Sequence, residues 1–427
     1  MDVVKDIVEA IQLPQMTPVR QIFDDTHIVD LEAHLGAVLA AADLKSRIKP
    51  GASVALGVGS RGLADLPVLV RCTVAALKAA GAQPFVVPAM GSHGGATDEG
   101  QANMLKSLGV TEETVGCPVR SSIETVEVGR IDSGLAVLMD KIALSADHIA
   151  LINRVKPHTS FSGPIESGLT KMIAIGLANQ KGADACHAQG FGMMAENIVK
   201  MAEVKLAKAP FLFGLATVEN AYDRIAIAEV VMAEDILTRE PELLKIAKAK
   251  MPRILFDPID VLVVDEMGKE YSGTGMDPNI TGRAPTPFIR TRQEVGKLAV
   301  LALSKKTRGN CTGLGLADFC TKRLFEAIDY RSFYTNHLTS TTMAGAKIPM
   351  IMETARMAVQ GALKTSNAPD PARQRIVRLA NTLAMEHILI SDALLEEAKA
   401  HPQIEIVGQA QDWTFAEEEA AAISEPA

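Results

Sequence analysis

Aromatic residues make up 4% of this 427-residue chain, with one tryptophan, Trp413. There is no aromatic platform on which sugars or nucleobases could stack. No segment gathers lysine and arginine into a stripe, and the formal charge is −8, so nucleic acid is excluded as a partner. The five cysteines, Cys72, Cys117, Cys186, Cys311 and Cys320, are odd in number and form no Cys-x-x-Cys pair. That pattern fits reduced thiols rather than a disulfide framework. No apolar run reaches membrane-spanning length, and MDVVKDIVEAIQLP carries acids where a secretory leader needs a basic start. A soluble cytoplasmic protein without membrane partners is the expectation.

What is present is apolar residue at 48%, ample for more than one buried core. SVALGV (53–58) reads as a strand, LPVLVRCTVAALKAAG (66–81) as a helix closing on Gly81, and FVVP (85–88) as the next strand. Strand, helix, strand is a βαβ unit and implies a parallel sheet. TDEGQANMLKSLG (97–109) reads as a helix capped by Thr97. TVEVGRIDSGLAVLM (125–139) reads as a hairpin on a sheet edge, and HIALINRV (148–155) as another buried strand.

Helices are expected near 193–209 and 233–250, with strands FLFGLAT and IAIAEVV between them. The two prolines of PRILFDPID (252–260) mark a domain boundary. Beyond it the alternation resumes, with strands near 261–265 and 297–304 and helices near 318–328 and 347–364. The spacing therefore predicts two α/β domains with mostly parallel sheets and a ligand cleft between them. Residues 1–256 form the N-terminal domain, 257–403 the second, and 404–427 return to the first. The tail EEEAAA reads as frayed helix.

Ligands of parallel α/β sheets collect outside the carboxyl ends of the strands. Three segments fall there: GVGSRG (57–62), GSHGG (91–95), and the glycine-rich stretch from KPHTSFSG to CHAQGFG (156–192). The first offers Gly59 and Ser60 for backbone approach to an anion and Arg61 for charge. It is not a dinucleotide fingerprint, because the next strand ends in Pro88-Ala89-Met90 without the ribose-binding acid. His93 could cap a helix, His158 could satisfy loop backbone, and His187 beside Cys186 could serve a metal or a thiol site. Lys171, among apolar neighbours in GLTKMIAIG, is either a tuned nucleophile or a lysine reaching from a buried stem to solvent. Two histidines on opposite sides of a ligand could remove and return a proton at a carbon bearing a hydroxyl.

With these residues in view, the chain resembles the lactate racemase family, whose enzymes use a nickel-pincer nucleotide. The resemblance is carried by Arg61 in GSRG, His93 in GSHGGATDEG, His158 before Phe161-Ser162-Gly163, Lys171, and His187 sixteen residues later. It implies a pyridinium bisthiocarboxylic acid mononucleotide joined to Lys171 through a thioamide and placed beside Gly59, Ser60 and Arg61, with His187 completing nickel coordination. It implies hydride transfer from the α-carbon of a 2-hydroxy acid and return to the other face, with His93 and His158 exchanging the hydroxyl proton. It also implies dependence on the cofactor's biosynthetic enzymes for loading.

The departures matter too. PIESGLT before Lys171 is four residues longer than the family's glycine-arginine link, and Val58 stands where an aspartate is expected. Thr281 and Gly282 replace a substrate-contacting tyrosine and glutamine. A 2-hydroxy acid other than lactate, racemised or epimerised at C2, is the expected substrate, with Lys269, Asn279 and Arg283 as candidates for its far end. Two other readings use the same residues: a metal-dependent lyase or hydrolase of a small carboxylate, and a non-catalytic anion- or cofactor-binding protein.

Overall fold

The computed structural model describes residues 2–60, 63–370 and 373–415. They fall into two compact units, Asp24–Met251 and Met1–Phe23 together with Pro252–Ala427. The chain opens on a helix, Asp2–Glu9, and strand β1 (Met16–Gln21), both part of the second unit.

The Asp24–Met251 unit is built on β2 (Ser53–Val58), β3 (Gln83–Pro88), the hairpin strands β4 (Thr125–Arg130) and β5 (Ala136–Asp140), β6 (His148–Arg154), β7 (Phe211–Glu219) and β8 (Ile225–Met232). Its main sheet has the order β3-β2-β6-β7-β8. All pairs are parallel except the last, β7 with β8. The expected βαβ unit is present as β2, helix Leu66–Ala79 and β3. β2 is apolar from Val54 onward because both its faces are covered there. Ala55 packs with Val87, Leu151 and Leu169 on one side, and Val54 and Leu56 with Leu69 and Leu77 on the other. Each of the fully buried valine and leucine side chains is worth about 1.5–3 kcal/mol. The hairpin does not extend the main sheet; it forms a two-stranded sheet of its own. Its β5 instead donates a buried residue, Asp140, to the polar interior.

The other unit adds β9 (Ile259–Met267), β10 (Val295–Leu303), β11 (Phe319–Thr321), β12 (Met350–Met352), β13 (Ile376–Leu379), β14 (His387–Ser391) and β15 (Ile404–Ile406). The sheet order is β12-β11-β10-β9-β13-β14-β1-β15, parallel from β12 to β13 and antiparallel beyond. Mixed α/β architecture with mostly parallel pairing is thus as the sequence predicts.

Three expectations differ. The division falls at 251/252 rather than 256/257. Residues 1–23 join the second unit because β1 is sandwiched between β14 and β15. For the same reason residues 404–415 stay with the second unit rather than returning to the first. Third, the helices expected at 318–328 and 347–364 begin later, at Lys322–Glu326 and Ala355–Thr365. The residues before them form β11 and β12, three-residue strands too short to show alternation. The true starts carry a cap signal: Thr321 and Thr354 accept from Leu324 and Met357 N–H. Trp413 is structural, stacking on Phe415 at 5.7 Å and donating its Nε1–H to Pro14. The tail 416–427, with EEEAAA, lies outside the described residues.

Candidate functional site

A pocket of about 160 Å³ opens at the carboxyl ends of β2, β3 and β6, where open α/β sheets place their ligands. Each strand runs into a loop that lines it: Gly59 and Ser60 after β2, Ala89 to His93 after β3, and Asn153, Arg154 and Lys156 at the end of β6. The remaining wall comes from the helices Leu169–Ala174, through Lys171 and Met172, and Asn179–His187, through Ala183 and His187.

The His93 loop is set by backbone geometry. Gly94 and Gly95 have φ of 67° and 69°, a region costly for residues with a Cβ. At Gly94 a Cβ would also meet the backbone of Gly100 and Gln101 at 2.7–2.9 Å. Buried Gln101 donates to Gly91 O, and Gly91 N–H donates to Gly176 O, so the loop is tied to the segment that follows Lys171. His93 is exposed at the pocket rim, its Nδ1 2.5 Å from Ser60 Oγ. His93 therefore sits at a helix entry without capping it; Thr97 does that, accepting from Gly100 N–H.

Lys171 rides on Leu169–Ala174. Leu169, Thr170, Ile173 and Ala174 face the core while Lys171, Met172 and Ile175 face the pocket, the i, i+1, i+4 side of a helix. His187 ends its own helix and is half-buried. Burial, and after it the nearby Lys171 ammonium, pushes its pKa down to about 4. The imidazole is thus neutral across the physiological range, and its buried Nδ1 has no hydrogen-bond partner. Cys186, its neighbour, points into the core against Met194 Sδ at 3.6 Å. Burial pushes this thiol up to about 12, so it stays protonated in the metal-free chain.

His158 does not line the pocket. It sits on the excursion 157–166, closed at its neck by the reciprocal backbone bonds of Lys156 and Ser167. Glu166, 2% exposed, organises the interior of that loop. It accepts from His158 N–H at 2.7 Å, Gly163 N–H at 3.1 Å and Lys248 Nζ at 2.6 Å. The PIESGLT segment therefore supplies the loop's own anchor. His158 packs on Phe161 with ring centroids 4.3 Å apart, and Phe191 lies between its ring and that of His187, 6.3 Å and 5.5 Å from each.

Arg61 lies outside the described residues. Lys269, Asn279 and Arg283 belong to the other unit, each engaged within it. Lys269 donates to Gly273 O and Asn336 Oδ1, Asn279 to Asp277, and Arg283 to Asp318 at 2.6 Å. Arg154 and Lys156, not singled out from the sequence, bring positive charge to the pocket wall, Arg154 in an ion pair with Glu219. Among the described residues no three His, Cys, Asp or Glu side chains gather as a metal cluster, and no helix is long and apolar enough to cross a membrane.

Residues 27–199, which contain the whole pocket, match the model of the lactate racemase N-terminal domain. By that match this stretch is similar to the lactate racemase family. Beyond it, the likeness is one of fold. The lactate racemase apoprotein from Thermoanaerobacterium thermosaccharolyticum is 14% identical with a TM-score of 0.51, over 87% of this chain and 99% of that one. A crystal structure of a protein from Thermotoga maritima gives the same identity and score over 79% of this chain and 84% of that one. No curated protein sequence matches the chain.

Proposed function

We propose that this chain is an isomerase that inverts C2 of a small 2-hydroxy acid other than lactate, using a nickel-pincer nucleotide tethered to Lys171. One observation carries the reading. In a stretch similar to the lactate racemase family, a single pocket is lined both by a lysine and by a neutral imidazole whose buried nitrogen has no hydrogen-bond partner.

The residues fit the group. The Lys171 amine can form the thioamide tether. His187 offers an unprotonated nitrogen, the form a borderline-soft metal requires. When bound, the cofactor supplies a hydride acceptor and donor, the chemistry that amino-acid side chains lack.

The chain's own residues then do the rest. Gly59 and Ser60, at the end of β2, would hold the cofactor, with Arg61 assigned to the same task from the sequence pattern alone. Ser60 holds His93 at Nδ1 and so directs Nε2 to the substrate hydroxyl, whose proton it takes. His158, outside the pocket lining but joined to His187 through Phe191, is assigned as the partner acid; accepting from Ser160 N–H at Nδ1, it carries its proton on Nε2. Arg154 and Lys156 favour an anionic substrate.

The test is intact mass after co-expression with the cofactor-making enzymes and nickel, with peptide mapping across Lys171. An adduct carrying nickel and two sulfurs is expected, followed by C2 inversion in a screen of chiral 2-hydroxy acids. An unmodified Lys171, in cells where a control lactate racemase is loaded, overturns the reading and favours a lyase or hydrolase using the same histidines.

A further inference from the structure

Two wholly buried ionisable side chains flank the helix that carries Lys171, and nothing in the proposed chemistry uses them. Lys205, 0% exposed, belongs to helix Met194–Lys208 and donates from Nζ to the carbonyls of Ile173 at 2.8 Å and Ala174 at 3.1 Å. Glu240, 1% exposed, belongs to helix Ile236–Lys250 and accepts through Oε2 from both the N–H and the hydroxyl of Thr170, each at 2.7 Å. We propose that Lys205 and Glu240 are positioning residues for Lys171, gripping the two ends of its six-residue helix.

A helix this short does not hold itself. Nucleation fixes several residues for few internal hydrogen bonds, and isolated turns do not persist in water. Its N-cap, Gly168, supplies no side-chain cap. The acid stands at the positive end of the helix and the ammonium at the negative end, the polarity that satisfies otherwise orphaned N–H and C=O groups. Gly168 leaves room for this grip, because a Cβ there would lie 2.2 Å from Glu240 Oε1. Each ionisable residue also occupies a position its own helix would ordinarily fill with an apolar side chain. Lys205 continues the buried series Ile198, Met201, Ala202, and Glu240 stands between buried Ile236 and Leu243. Burying a charge-bearing group at such a position is costly, so its retention calls for a task at the far end of the side chain. Lys205 ends on carbonyls two and three residues beyond Lys171, and Glu240 on the residue just before it.

The inference rests on the reading of Lys171 as the attachment point, but it is tested without cofactor on the full chain. Two readouts are compared between wild type, Lys205→Met and Lys205→Arg. The first is amide hydrogen exchange over 169–175 against that over 194–208. The second is acetylation of Lys171 relative to exposed Lys106, resolved by peptide mass. In Lys205→Met, with a cooperative melt retained, exchange over 169–175 is expected to accelerate about tenfold or more and Lys171 acetylation to rise about threefold or more. Lys205→Arg should recover most of both, which loss of packing alone would not produce. Either readout left unchanged in a folded Lys205→Met chain overturns the proposal. If that chain does not fold, Thr170→Val removes one of Glu240's two bonds without opening the core, and the same two readouts decide by the same criteria. Failure of cofactor loading in wild type would instead count against the reading of Lys171, with these results intact.

Discussion

Ser60 Oγ and His93 Nδ1 lie 2.5 Å apart, joining the loops that follow two neighbouring parallel strands. The contact holds the ring of an exposed histidine at the rim of the pocket that Lys171 and His187 also line. Ser60 is the side chain that holds His93 here. If His93 moves the hydroxyl proton, its replacement by glutamine should lower kcat for C2 inversion by about 10²-fold or more. Ser60→Ala should lower it less and leave the melting temperature unchanged. Chiral chromatography of the products checks both, and equal losses would mean that Ser60 does more than orient the ring.

Glu166 collects two backbone N–H groups and the Lys248 ammonium in a buried position. Removing it leaves those donors unsatisfied, so Glu166→Ala should destabilise the chain by about 2–3 kcal/mol. Lys248→Met should cost less, because that lysine is 31% exposed at its side chain and surface screening weakens its share. Urea unfolding monitored by circular dichroism measures both, and the reverse order would show that the ion pair, not the backbone contacts, holds the loop.

How much of this was legible in the sequence follows from how local each signal is. The strand-end loops and the sixteen-residue interval from Lys171 to His187 could be read because glycine punctuation and spacing are properties of neighbouring residues. Lys205, Glu240 and Glu166 were not singled out, because their partners are backbone groups 32, 70 and 8 residues away. A trace existed even so: a lysine and an acid at apolar-stripe positions of amphipathic helices. β1 and β15 were missed for a related reason. An edge of a mixed sheet is assembled from both ends of the chain, and no local pattern records that pairing.

Burial raises the Glu240 carboxyl to about 7. A group whose folded pKa is raised binds its proton more tightly in the folded state. Its contribution to stability is fully present below the unfolded value of 4.5 and is lost as pH climbs through 7. Glu240→Gln removes that titration, so the variant should gain on wild type by roughly 2–3 kcal/mol between pH 4.5 and pH 8. His187, lowered to about 4, slopes the opposite way between pH 4 and 6.5. It titrates alike in both chains and cancels in the difference. Urea midpoints at several pH values supply the measurement, and a difference independent of pH would mean that Glu240 is ionised throughout.

Backbone geometry selects one form of His158. The Ser160 N–H points at its Nδ1 from 3.0 Å, and a nitrogen that accepts cannot also carry the proton, so the neutral ring is the Nε2–H tautomer. The bond spans two residues within a loop closed at its neck and anchored by Glu166, so the preference should survive in the cofactor-free chain. Long-range proton–nitrogen correlation spectra of histidine-labelled protein above pH 8 should therefore show a single tautomer for His158, identified by its loss in His158→Gln. In Glu166→Ala, where the loop loses its anchor, the signal should move toward the average of both forms. A proton resident on Nδ1 in wild type would contradict the geometry and remove His158 as a donor through Nε2, leaving His93 to handle both faces of the carbon.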